Sequence, residues 1–376
     1  MRSRRLDSIV FTVVVAVITA LAAVAIAVVL ALSGEPSTLV LAALLAFVPV
    51  GPLLACYLWL DRYEPEPRSL LAAGLAWGAF VATLGAIVVQ GIGGFVVGWT
   101  DQFSLVVVAP VVEEATKGFF ILMLLWWRRH EFDGVLDGLV YAGMVGIGFA
   151  YTENILYLAA AYSGTDGENP GGLAEVGVLF VLRCLASPFA HPLFTAFTGI
   201  GLGLAVASRS RWVKALAPLV GYLLAVGMHA AWNGSTLLFE GGGFLLVYPL
   251  MMVPVFGLMV ALAIWVRSRE RTLLGVALDD AARRGLIAPA DIPHVVDLAS
   301  RRRARAFARA HGGAEGLAQM RDYQQAAVEL GYLHHRVLRG TAPPNHLARG
   351  QVFVDRMFVA RSRIAFPATP SGGGHR

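Results

Sequence analysis

The stretch Pro110-Val111-Val112-Glu113-Glu114-Ala115-Thr116-Lys117 sets two adjacent carboxylates and an ammonium inside an apolar run from about Phe103 to Trp127. A run of that length can cross a bilayer. A charged side chain near the membrane centre costs roughly 2.5–3.5 kcal/mol on insertion scales, so three in one helix require partners or water supplied by other helices. The rest of the chain must therefore carry those partners.

Composition places the chain among polytopic membrane proteins. It is 57% hydrophobic and 15% charged over 376 residues, with a mean hydropathy of +0.66, values far from those of soluble domains. Charge is divided unevenly: from Arg267 onward there are 18 Lys+Arg against 9 Asp+Glu, net +9, whereas the remainder holds 12 against 16, net −4. Such an arginine-rich tail beside a membrane suits anionic lipid, and it lacks the aromatic interleaving or zinc knuckles expected of nucleic-acid binding. The two cysteines, Cys56 and Cys184, lie in apolar segments and read as packing residues rather than a disulfide or thiolate metal site.

Apolar runs of about 20 residues predict about eight transmembrane helices, near 9–32, 37–60, 69–90, 103–127, 134–162, 174–207, 214–238 and 244–266. The first follows Met1-Arg2-Ser3-Arg4-Arg5 and is too long for a signal-peptide core, so it reads as an anchor. One set of connections carries Arg2, Arg4, Arg5, Arg62, Arg68, Arg128, Arg129, Arg209, Arg211, Lys214, Arg267, Arg269 and Arg271. The alternate connections, near Ser33–Ser37, Gly91–Gln102, Ser163–Glu175 and Phe239–Gly243, carry no Lys or Arg. Because positive charge collects on the cytoplasmic side, both termini are expected there.

The expected fold is thus an all-α polytopic membrane helix bundle over 1–266. A basic, helical cytoplasmic tail follows over 267–366, with helices near Thr272–Ile287, Asp291–His311 and Ala314–Leu338, and a Pro/Ser/Gly-rich disordered end over 367–376. The loop Asp61-Arg62-Tyr63-Glu64-Pro65-Glu66-Pro67-Arg68 reads as a proline-punctuated cap. Glycines such as Gly143, Gly146, Gly148, Gly199, Gly201 and Gly203 suit close helix packing, since no strand precedes them to make a phosphate loop.

Polar residues recur inside three later spans. The fifth carries Phe149, Glu153, Asn154 and Tyr157; the sixth carries Arg183, Ser187, His191 and Thr195; the seventh carries His229, Trp232 and Asn233. Four-residue spacing places Arg183, Ser187, His191 and Thr195 on one helix face, and His229 with Asn233 on another. At about 1.5 Å per residue, Glu113, Glu153 and His229 come out roughly 13–15 Å from the outer ends of their spans, with His191 roughly 25 Å along a longer one. These depths allow a single layer. Interhelical hydrogen bonding accounts for Arg183, Ser187, Thr195 and Tyr157 taken singly, but three carboxylates and two imidazoles at one level point to chemistry.

Amide hydrolysis requires an activated water, a polarised carbonyl and a protonated leaving amine. Glu113 and Glu114 can supply a base and acid pair, with Lys117 moderating their repulsion or serving as a structural counter-ion. His191 and His229 with Glu153 or Glu113 form a ligand set suited to catalytic zinc, while neutral imidazoles with Asn233 can serve an oxyanion without a metal. Residue types leave both routes open. They also leave open a proton-coupled transporter or channel using the same Glu/His relay, and a non-catalytic membrane scaffold.

The series Glu113-Glu114-x-x-Lys117, Phe149-x-x-x-Glu153-Asn154, His191 and His229-x-x-Trp232-Asn233 resembles the PrsW family of bacterial intramembrane proteases, relatives of the CAAX prenyl proteases. The text from Asp137 to Tyr141, and from Arg183 to His191, is similar too, and the resemblance covers roughly Leu54 to Leu262. It implies a multi-pass protease of the cell membrane that cleaves a membrane-associated protein, in some members an anti-sigma factor. It further implies that Glu113 or Glu114 activates water and that Glu153, His191, His229 and Asn233 complete the site, with Lys117, Asn154 and Arg183 in support. Lys117 stands where the wider superfamily carries arginine, and the family is described both as zinc-type metalloproteases and as metal-free glutamate proteases.

Overall fold

The computed structural model describes residues 2–129, 131–164, 171–239 and 242–367. Residues 165–170 and 240–241, within two of the connections that carry no Lys or Arg, and the end from 368, within the tail expected to be disordered, lie outside the described residues. The described residues are helical throughout, with no strand. Seven helices, Ser8–Ser33, Pro36–Leu60, Arg68–Val97, Val135–Ser163, Leu173–Ala207, Arg211–Ser235 and Phe244–Arg283, are long and apolar enough to cross a membrane. The chain is an all-α multi-pass membrane protein.

In chain order the α-helices begin with α1 (Arg2–Ser33), α2 (Pro36–Phe47), α3 (Val50–Leu60), α4 (Arg68–Ala76), α5 (Thr83–Val97), α6 (Asp101–Phe103), α7 (Ala109–Trp127) and α8 (Val135–Ser163). They continue with α9 (Leu173–Phe180), α10 (Ala190–Ala207), α11 (Arg211–Ser235), α12 (Phe244–Val247), α13 (Val253–Arg283), α14 (Pro293–Val296), α15 (Leu298–Leu338) and α16 (His346–Arg361). Wider π-helical turns at Trp77–Ala82, Ser104–Val108, Val181–Ala186 and Tyr248–Met252 bridge several of these. Such turns are rare and concentrate at functional sites.

The expected fourth span, 103–127, is a helical run of α6, a π-turn and α7, but it is not among the seven apolar helices. Glu113, Glu114 and Lys117 make it too polar, and all three are buried inside the protein. The third span runs past its expected end at residue 90 to Val97, because Trp99 packs its ring over Gly93 and the left-handed Gly98 (φ 70°) ends the helix only there. Pro49 and Pro188 fall where the second and sixth spans are interrupted.

The chain divides into two compact units, 1–61 with 66–263, and 62–65 with 264–376. In the first, α8 is the buried centre, packed against α2, α4, the Trp77–Ala82 turn and α10. Glycine permits these contacts: a Cβ on Gly148 would lie 1.9 Å from the Leu75 carbonyl oxygen, and one on Gly138 2.1 Å from that of Gly199. Asp137 Oδ2 accepts the Asp133 and Gly134 amides and starts α8.

The second unit has its own core of Leu274, Leu278, Val295, Tyr323, Ala327, Phe353 and Met357. Its α15 is interrupted at Gly313, whose φ of 61° favours glycine. Buried Arg301 donates to the carbonyls of Val295 (2.8 Å), Arg62 (3.2 Å) and Tyr63 (3.4 Å).

Two predictions follow from this packing. Gly148→Val drives a side chain into the α4 backbone and is expected to cost more than about 3 kcal/mol, beyond ordinary overpacking; thermal unfolding in detergent measures it, and an unchanged midpoint contradicts the packing. At the end of α3, Asp61 is buried with both carboxylate oxygens accepting the Glu66 amide (3.2 and 3.0 Å). Burial nevertheless pushes its carboxyl up from 3.8 to about 7. The folded state then holds the proton more tightly than the unfolded one, so stability falls as pH rises from about 4 through about 7. Asp61→Asn is expected to reduce that slope in unfolding measured across pH.

Candidate active site

The two carboxylates and the ammonium of α7 meet because three- and four-residue spacing puts them on one helix face. Lys117 Nζ lies 2.9 Å from Glu114 Oε1 and 3.3 Å from Glu113 Oε2, and sits 3.7 Å above the centre of the Phe149 ring of α8. It is fully buried, as is Glu114. The same ammonium reaches α10, where it lies 3.1 Å from His191 Nδ1.

Hydrogen bonding assigns the imidazole tautomers. Lysine has only donors, so His191 Nδ1 accepts from Lys117 and the Nε2–H donates to Glu153 Oε2 at 2.6 Å. On α11, His229 Nδ1–H donates to Glu114 Oε1 at 3.0 Å, which leaves Nε2 3.8 Å from Glu113 Oε2. Each imidazole thus has a carboxylate behind one nitrogen and turns the other inward. Glu114 is fully engaged, since Thr195 Oγ1 donates to its Oε2 at 2.9 Å. Among the described residues, no hydrogen bond reaches Glu113 Oε1.

Glu153 is paired on its outer side. Arg183, placed by the π-helical turn before α10, gives Nη2 to Glu153 Oε2 and Nε to Asn154 Oδ1 (2.7 Å), with its guanidinium 4.1 Å over the Tyr157 ring. Beside this group a cavity of ≈ 20 Å³, lined by Asn154, Arg183, Ser187, His191 and Trp232 among others, has room for one water.

The structure therefore brings Glu113, Glu114, Lys117, Glu153, His191 and His229 together, with Asn154 and Arg183 at the edge. Asn233 is placed differently: its amide donates to the Leu105 carbonyl at 2.9 Å, tying α11 to the π-helical turn before α7. Two members were not among the candidate site residues: Thr195, read as an interhelical hydrogen-bonding residue on the His191 face and here bonded to Glu114, and Phe149, one turn before Glu153. Both follow four-residue spacing, but nothing in the spacing says what they touch.

Glu113, His191 and His229 offer ligand atoms all within 4.8 Å of one another, and all three residues are buried. Two imidazoles and a carboxylate are the donor types of a catalytic zinc shell, and the carboxylates behind the rings supply the outer hydrogen bonds such ligands use. The set fits a divalent ion. Of the two carboxylates expected with the histidines, the grouped one is Glu113, while Glu153 is engaged by Arg183 and His191.

An apolar helix bundle with a buried Glu/His/Lys centre is compatible with an intramembrane hydrolase. Residues 66–259 match the model of the PrsW family of intramembrane metalloproteases. The chain is 27% identical over 203 residues to the protease PrsW of Geobacillus kaustophilus, covering 53% of this chain and 81% of that protein. It is 30% identical over 166 residues to the protease PrsW of Oceanobacillus iheyensis, covering 44% and 66%, and 32% identical over 114 residues to that of Bacillus subtilis, covering 30% and 52%. No solved structure matches. The chain belongs to the PrsW family of intramembrane proteases, and every residue of the centre lies within the matched segment.

The Arg183–Glu153 pair has a measurable signature. Breaking a buried pair typically costs about 3–5 kcal/mol; Arg183→Met is expected at the low end, because the guanidinium side chain keeps 22% exposure. Adding Glu153→Gln is expected to recover part of the loss in a double-mutant cycle of thermal unfolding. Additive losses contradict the pairing.

Proposed function

We propose that this chain hydrolyses a peptide bond of a membrane-associated protein within the bilayer, with Glu113 as the residue that activates water. The observation that carries the proposal is the convergence of Glu113, His191 and His229 from three helices inside an apolar bundle. Of the two adjacent glutamates, Glu114 is saturated by Lys117, His229 and Thr195, whereas Glu113 keeps an oxygen free to take a proton. Glu114 then acts by orienting His229, and Glu153 by orienting His191. Glu113 can pass the proton on to the leaving amine.

In the metal-dependent form Glu113 would instead join His191 Nδ1 and His229 Nε2 in holding a zinc-class ion, which when bound supplies Lewis-acid polarisation and a more acidic water. The cavity beside Arg183 and Asn154 sets polar hydrogen-bonding groups next to His191, which supports a water position there. The alternation of connections rich in arginine with connections free of Lys and Arg supports a cell-membrane topology with both termini, and the basic unit, on the cytoplasmic side facing anionic lipid. The resemblance to the PrsW family implies a membrane-associated protein as substrate, in some members an anti-sigma factor.

The test is cleavage of a library of transmembrane peptides by the purified full chain. Glu113→Gln is expected to lower kcat by at least about 100-fold, the usual contribution of a general base, with unfolding unchanged. Glu114→Gln and Glu153→Gln are expected to lower zinc affinity by about 10–100-fold, as for removal of outer hydrogen bonds to ligating histidines, measured by elemental analysis against chelator. Cleavage by Glu113→Gln at the wild-type rate overturns the assignment.

A further inference from the structure

The Lys117 ammonium makes four close contacts of two kinds. Two are with the ligand set itself, Glu113 Oε2 at 3.3 Å and His191 Nδ1 at 3.1 Å. The other two lie outside it, Glu114 Oε1 at 2.9 Å and the face of Phe149 at 3.7 Å. His191 Nδ1 is also the inward nitrogen, since Nε2–H is given to Glu153. A divalent ion using Glu113 and His191 would therefore need the same His191 lone pair that the ammonium now holds, beside a carboxylate whose Oε2 the ammonium also touches.

We propose that Lys117 is a built-in competitor for the metal position: its ammonium and a divalent cation hold Glu113 and His191 Nδ1 in alternation. This rests on the metal-dependent form of the reading above. The physical reason is charge and space. An ammonium and a divalent ion cannot share two ligands about 3 Å apart in a dry site, because their repulsion is nearly unscreened there. Yet one member of the cluster has to balance adjacent carboxylates that are otherwise buried without a cation. A flexible four-carbon stem answers both demands: when the ammonium leaves Glu113 and His191, Glu114 and the Phe149 ring remain to hold it. The planar fork of an arginine makes fixed, bidentate pairs and could not retreat to a single carboxylate oxygen in this way. Metal occupancy is then set by competition inside the protein as well as by ligand strength, so the centre holds its ion more loosely than its donor set alone would.

The chain contains only two lysines, Lys117 and the exposed Lys214 at the start of α11, which makes the test direct. Full-length protein labelled with lysine carrying ¹³C at the ε-carbon is expected to show two signals in detergent, and Lys214→Arg assigns the remaining one to Lys117. On titration with Zn²⁺ the Lys117 signal is expected to move in proportion to bound zinc measured on the same samples, while the Lys214 signal stays in place. In parallel, Lys117→Met is expected to bind zinc at least about tenfold more tightly than wild type, a difference of about 1.4 kcal/mol. Zinc that saturates the site while the Lys117 signal stays fixed overturns this proposal and leaves the metal reading standing. Absence of any saturable zinc overturns both. Should Lys117→Met fail to fold, the wild-type spectrum still decides.

Discussion

The structure depends on an ammonium buried between two glutamates in a helix that has no solvent to offer them. Three charged groups on one face of α7 would oppose its burial; paired with one another and with partners from α8, α10 and α11, they become the point at which those helices must meet. Lys117 touches residues from three helices. This demand for mutual satisfaction sets the register of the bundle at the level of the site, in a medium where unpaired polar groups are costly.

Close approach makes that satisfaction possible. In lipid the hydrophobic effect does not draw helices together, so packing of small residues does. Along α8 the glycines put backbone against backbone on both neighbouring sides, toward Leu75 and toward Gly199. The π-helical turns then adjust register locally: one precedes the Glu113 helix and accepts Asn233, and another presents Arg183 to Glu153. Small residues bring the helices near, and irregular turns aim the side chains.

Within this frame two chemically identical neighbours receive different tasks. Glu114 accepts three donors and can do little but hold; Glu113 keeps an oxygen free and faces an inward imidazole nitrogen. The imidazoles are differentiated too, each fixed by the carboxylate behind it. Active sites commonly separate like groups by environment rather than by type. Here the environment is supplied by Thr195, Lys117 and Arg183.

Much of this was legible in the sequence. Apolar runs marked membrane helices because length and composition alone decide what can cross a bilayer. Four-residue spacing placed Thr195 after His191 on a shared face, because a helix converts spacing into direction. The glycine break between His311 and Ala314 was legible for the same local reason. Contacts between helices were not: that Glu113 lies within reach of both histidines, that Asn233 serves a backbone carbonyl, and that the third span continues under Trp99 to Val97 all depend on rotation and depth of one helix against another. Local periodicity carries no information about either quantity. The sequence by itself thus determined which helices form and which polar residues they carry inward. Only the tertiary structure decided which of those residues touch, because partners from different helices are chosen by close packing, which no single helix encodes.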